Sequence, residues 1–184
     1  MRWEAFFSDL DSRMQALERL SIHSEIREKT RAEAAQITLV DRLLGSVGKH
    51  LEVTLMNGEK LSGTLTSAYA QWILLSGAHT ESVIVTGAIA MATGLSTTIG
   101  PPPGSAAKRL GLGHVLRTFA RDRSEVRLSL LHVDITGVCD RVGADYVEIT
   151  RHTPGEPRHR RKQVTVAHEV ICAVHNRGNY VKTV

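Results

Sequence analysis

Aromatic side chains are scarce in this 184-residue chain, at 4%, and it carries only two cysteines, Cys139 and Cys172. Two thiols make no disulfide framework. No apolar run approaches the roughly 18 residues that a membrane-spanning helix needs, and Met1-Arg2-Trp3-Glu4 starts no signal peptide. The expectation is a soluble cytoplasmic protein with no membrane partner. Cys-x-x-Cys, His-Glu-x-x-His, Gly-x-Ser-x-Gly and P-loop motifs are also missing, which removes the common signatures of metal, nucleophilic and nucleotide chemistry. Gly111-Leu112-Gly113 follows no buried strand and makes no dinucleotide fingerprint. The chain is therefore expected not to be an enzyme and to need no cofactor or metal. What is present is ordinary for a folded protein, 42% hydrophobic and 23% charged, with room for one average domain or two very small ones.

The formal net charge of +4 conceals an uneven distribution. Residues 1–50 are neutral, residues 51–105 carry −2, and residues 106–184 carry +6. The densest basic stretch is Arg158-His159-Arg160-Arg161-Lys162, preceded by the turn-forming Pro154-Gly155-Glu156-Pro157. Lys108, Arg109, Arg117, Arg121 and Arg123 add a basic helical segment. Either stretch suits phosphate groups, whose condensed counterions are released when lysine and arginine bind; either also suits a solvated surface.

Apolar residues Trp3, Phe7, Leu10, Met14 and Leu17 recur at helical spacing, and a second helical stretch is predicted from about Ser24 to Leu44, ending at Gly45. From Leu51 the period falls to two. Two strands meet at Met56-Asn57-Gly58-Glu59, a strong hairpin signal, and Trp72–Leu75, Val83–Val85 and Ala88–Met91 supply the rest. So many short strands in so little chain predict a strongly bent sheet closing on itself. Gly100-Pro101-Pro102-Pro103-Gly104-Ser105 reads as a linker.

Beyond the linker the pattern returns. After a short helix bearing Leu112, Val115, Leu116 and Phe119, Glu125–Leu128 mirrors Glu52–Leu55, Ile135-Thr136-Gly137 mirrors Leu61-Ser62-Gly63, and Ala144-Asp145-Tyr146 mirrors Ala70-Gln71-Trp72. Val164-Thr165-Val166 and Val170-Ile171 close the series opposite Val83-Ile84-Val85 and Ala88-Ile89. The offset of 73 before the hairpin and 74 after it implies one inserted residue near Leu131–Asp134. A supersecondary unit is repeated.

The run from Val53 to Leu65, with Ile73-Leu74-Leu75 and Ala88-Ile89-Ala90 after it, resembles the Sm-like proteins, especially the bacterial Hfq-type RNA chaperones. That resemblance covers about 45 residues of the first repeat and, more weakly, about 50 of the second. It implies a helix plus a bent five-stranded SH3-like barrel, ring assembly and single-stranded RNA as ligand. The departures are specific: the family's aromatic-Asp pair falls on Ala68-Tyr69, and its Lys-His pair on Thr86-Gly87 and, in the second repeat, Ala167-His168, with Glu169-Val170 for Ala-Ile. Only His168 survives of the RNA-contacting residues. Arg177-Gly178-Asn179 is similar to the family's second motif.

The fold expected is mainly β with N-terminal α-helices: two tandem small SH3-like, Sm-like β-barrels, each preceded by a helix. Residues 1–45 form the helical region, 46–97 the first barrel, 98–108 the linker, and 109–184 a short helix plus the second barrel. The expected function is non-catalytic binding of an RNA, or possible DNA, backbone through Arg158, Arg160, Arg161, Lys162, Arg117, Arg121 and His168. The alternative is a protein-interaction or assembly module, or a transcription-associated regulator, that binds no RNA. A homo-oligomer is expected, through barrel edges or the N-terminal helix. His132 and Asp134 are expected at a hairpin tip, Cys139 and Cys172 as buried hydrophobes in the second and fourth strands of the second repeat, and Trp72 and Tyr146 as core aromatics.

Overall fold

Some strands, such as His50–Leu55, alternate apolar and polar side chains, others, such as Ile171–Asn176, are buried on nearly every residue, and the described strands all join one antiparallel sheet. The computed structural model describes residues 31, 34–78, 80–101, 110–152 and 162–176. The Trp3 to Leu17 stripe lies outside them, as do Arg158, Arg160 and Arg161. Helix α1 spans Leu39–Leu44 and α2 spans Leu112–Arg121. The ten strands are β1 (His50–Leu55), β2 (Lys60–Ala68), β3 (Trp72–Ser76), β4 (Glu81–Val85), β5 (Ile89–Thr93), β6 (Glu125–Leu130), β7 (Asp134–Val142), β8 (Tyr146–Arg151), β9 (Gln163–Ala167) and β10 (Ile171–Asn176). Each repeat supplies five.

The helix expected from Ser24 to Leu44 is interrupted. Ala35 and Gln36 form a turn, Ile37 and Thr38 are non-helical, and only Leu39–Leu44 resumes as α1. The two β-branched residues resist helix, and threonine favours the position just before a helix start.

Strand order is β5-β1-β2-β3-β4-β10-β6-β7-β8-β9. The first repeat therefore runs 5-1-2-3-4 and the second 10-6-7-8-9, the same plan twice. Local features are also duplicated. Gly63 and Gly137 sit where a Cβ would lie 2.4 Å from the Ser76 carbonyl oxygen and 2.3 Å from that of Thr150, so each lets a neighbouring strand close on β2 or β7. Register slips follow, between Leu65 and Ser67 in β2 and between Cys139 and Arg141 in β7. These bulges bend both long strands at equivalent points.

Pairing corrects the repeat alignment. Leu55 N–H bonds to Glu59 O in the first hairpin, as Leu130 N–H does to Val133 O in the second, and the strand registers make β6 the counterpart of β1 at an offset of 75, not 73. The second hairpin is one residue shorter than the first rather than one longer. Period-two alternation looks the same after a slip of two residues, so hydrophobicity alone gave the wrong register. By the same pairing β9 follows β4 at an offset of 82, setting Val83 opposite Thr165 in the repeat. Cys172 lies in β10, the fifth strand of its repeat. The Asn57-Gly58 turn is as expected: Gly58 has φ +85° and the Asn57 side chain accepts the Glu59 N–H at 3.0 Å.

The two repeats meet along β4 and β10, where Ser82 faces His175, Val83 faces Val174 and Ile84 faces Ala173. Two apolar clusters form the core, and both cross this seam. Cys172 and Ala173 of β10 pack into the first, which also holds Leu43 of α1, while Trp72 and Val83 of the first repeat pack into the second. A polar network, buried at Ser82, Ser129 and His175 and partly exposed at Glu59, Arg127 and Asp134, accompanies them. The Ser82 hydroxyl lies 2.8 Å from His175 Nδ1, and His175 Nε2 lies 3.4 Å from Glu59 Oε1. Arg127 reaches the same Glu59 oxygen at 2.5 Å and Asp134 at 3.0 Å. Asn57 donates to Ser129 Oγ at 2.8 Å and to Leu130 O at 2.9 Å. Burial alone would raise the Glu59 pKa, but the Ser129 hydroxyl, His175 and Arg127 outweigh it and hold the carboxyl below its ordinary value. Burial lowers that of His175, with Glu59 opposing and Arg127 reinforcing the shift.

Candidate nucleic-acid interface

A cleft of about 780 Å³ opens where the loops of both repeats meet the start of α2. The β2–β3 loop contributes Ala70 and Gln71, and the β7–β8 loop contributes Ala144 and Asp145. Short 3-10 turns after β4 (Thr86–Ala88) and β9 (His168–Val170) contribute Gly87, His168 and Glu169. One backbone bond fixes each turn against its loop: Thr86 N–H to Gln71 O at 3.0 Å, and His168 N–H to Asp145 O at 2.7 Å. These matched bonds make His168-Glu169 the counterpart of Thr86-Gly87, and Val170-Ile171 that of Ala88-Ile89. The ungapped placement of the Lys-His pair on Ala167-His168 is thus one residue early.

Helix α2 is pinned there by the first repeat. Gln71 Oε1 accepts the Leu112 N–H at 3.4 Å, and Trp72 Nε1 donates to Leu110 O at 2.7 Å. Trp72 is 8% exposed and tilts against Tyr69 with ring centroids 4.3 Å apart. It is a core residue, as expected. Tyr146 is half-buried and covers Gly143, whose Cβ would fall 2.3 Å from the ring.

Of the residues proposed from the sequence, the fold brings Arg117 and His168 together. A Cβ on Gly113 would meet His168 Cε1 at 3.5 Å and Arg117 Nη2 at 3.7 Å, so the glycine leaves the floor between them open. His168 Nε2 is shielded from solvent without a hydrogen-bond partner. Burial lowers the His168 pKa; the Tyr146 backbone and Asp145 oppose the shift and Arg117 adds to it. The lowered value favours the neutral ring at pH 7. Arg121 does not line the cleft: its side chain is 76% exposed and pairs with Asp122 at 3.3 Å. Lys162 is exposed at the base of the β8–β9 loop, where its carbonyl accepts the Arg151 N–H at 2.9 Å.

Sequence reasoning missed Gln71, Gly113, His114 and Asp145 as lining residues. The only available signal was the repeated Ala-polar-aromatic step, which marked the repeat without revealing that both copies face one cleft. His132 lies exposed at the β6–β7 hairpin tip. Both cysteines are buried and unpaired; burial, then Asp140, pushes the Cys139 thiol up to about 11. Among the described residues no group of three or more His, Cys, Asp or Glu side chains is placed to hold a metal ion, and no helix is long and apolar enough to cross a membrane. Neither a protein-family model nor a curated protein matches the chain.

Proposed function

We propose that the chain is a divergent, tandem Sm-like protein that binds single-stranded nucleic acid, RNA in preference to DNA, without catalysis. Duplicated strand order, bend glycines and bulges support reading each repeat as a small SH3-like barrel. The observation that carries the ligand reading is the convergence of Arg117 and His168 on the cleft at the start of α2. A guanidinium there contacts phosphate, the imidazole ring lining the cleft offers a surface for a base to pack on, and the basic residues Arg158, Arg160, Arg161 and Lys162 add electrostatic attraction for further phosphates. Titration of labelled 12-nucleotide RNA and DNA tests this at several salt concentrations. Affinity is expected to fall with salt, and neutralising residues 158–162 is expected to reduce the log–log slope by about 0.7 for each phosphate that the loop no longer neutralises. Absence of binding at low salt, or the same slope in the neutralised chain, defeats the proposal.

A second reading, self-assembly, is favoured by the two ends of the sheet. No described strand pairs with the outer side of β5 or β9. They are the counterparts of β10 and β4, which do pair, and neither free edge carries a charge or proline to repel another strand. Met91 on β5 is 62% exposed, whereas its counterpart Ala173 on β10 is 0% exposed. Repeating the internal seam between copies pairs Val166 with Met91, Thr165 with Ala92 and Val164 with Thr93. Light scattering across a concentration series is expected to show an oligomer; a monomer throughout excludes it.

A further inference from the structure

The two kinds of edge carry opposite side-chain chemistry at matching positions. Within the chain, Glu59 of the first hairpin reaches Arg127 and His175 of the second repeat, and His175 also meets Ser82. Strand pairing gives each a counterpart at the free edges. Val133 takes the place of Glu59, each carbonyl accepting the same closing hairpin bond, from Leu130 and Leu55 respectively. Glu52 takes the place of Arg127, since Glu52 pairs with Thr93 as Arg127 pairs with His175. Val164 replaces Ser82, and Thr93 replaces His175. A carboxylate between two basic groups at the seam thus becomes a 54%-exposed valine opposite a carboxylate and a threonine at the free edges.

We infer that this exchange sorts the edges: β10 accepts the chain's own β4, while the free β5 edge accepts β9, with its Val133 hairpin, from a second copy. The assignment rests on the self-assembly reading above. Both wrong pairings are penalised. A foreign β9 on β10 sets Val164 opposite His175 and Val133 beside Arg127, stripping the buried His175 of its Ser82 hydroxyl and the half-buried Arg127 of its Glu59 carboxylate, with Asp134 left as the arginine's partner. A foreign β4 on β5 brings Glu59 against Glu52, two like charges at a contact. In the right pairing, Val133 buries apolar surface that is otherwise exposed.

The test uses the full chain and two exposed positions, so that folding is not at issue. Val133→Glu sets a carboxylate against Glu52 of the next copy and is expected to weaken association about tenfold or more, read by light scattering over a dilution series. Adding Glu52→Arg to Val133→Glu rebuilds between copies the pair that Glu59 and Arg127 make within one, and is expected to restore association. Circular dichroism checks that both variants keep the wild-type fold. A wild-type oligomer indifferent to Val133→Glu, or a double variant as weak as the single, overturns the sorting and leaves the edge contact standing. A wild-type chain that is monomeric at every concentration overturns the edge contact itself, and the sorting with it.

Discussion

The two repeats share one strand plan and one set of bends but divide their chemistry unequally. Residues 51–105 carry −2 and residues 106–184 carry +6, yet Gly63 and Gly137, the paired bulges and the matched turn bonds occupy the same places in both. Positions that shape the backbone are duplicated; positions that face the cleft have diverged, with Thr86 becoming His168 and Gly87 becoming Glu169. The first repeat acts as the scaffold. Its Gln71 and Trp72 hold the start of α2, so that Arg117 is presented beside the second repeat's histidine.

The equivalent aromatics offer the widest break in that comparison. Trp72→Ala opens a void in the second apolar cluster and frees Leu110, and is expected to cost about 3–5 kcal/mol of stability in urea unfolding. Tyr146→Ala, at a half-buried site, is expected to cost much less. Similar losses at the two positions would remove the distinction between scaffold and presenting repeat.

A smaller effect distinguishes the seam by pH. His175 has its pKa lowered from 6.5 in the fold, so the unfolded chain binds the proton more readily. Its contribution is complete above about pH 6.5 and declines as pH falls through the window below that value. Glu59, also lowered, holds its contribution above its ordinary value of 4.5 and loses it as pH drops further through its folded value. The urea midpoint is therefore expected to fall between pH 7.5 and 5.5, and to fall less steeply in His175→Asn. Equal slopes would place the acid sensitivity elsewhere, His168 being the next group with a lowered value.

Much of this molecule was readable from local pattern. Asn57-Gly58 named its hairpin, Trp72 its strand, and Leu112 to Phe119 their helix, because turn chemistry and periodicity are properties of neighbouring residues. Register was not readable, since alternation repeats every second residue and Glu125 looked as good a partner for Glu52 as Arg127, its true counterpart. The seam was invisible for another reason. Glu59, Ser82, Arg127 and His175 are scattered along the chain, and each alone is an ordinary polar residue beside a strand. Two side chains of the cleft were legible, Arg117 by charge and His168 by a resemblance whose register the structure moves by one residue, whereas Gln71 and Gly113 gain meaning only when α2 is seen to start against the first repeat.

Photo-crosslinking of 4-thiouridine-substituted single-stranded RNA to the full chain, with the attached peptides mapped by mass spectrometry, tests the ligand site most directly. The predicted result is attachment within residues 110–117 and 167–169, abolished by Arg117→Ala combined with His168→Thr, the residue of the first repeat. Attachment confined to the outer face of β1 and β2, or unchanged in that variant, would contradict it.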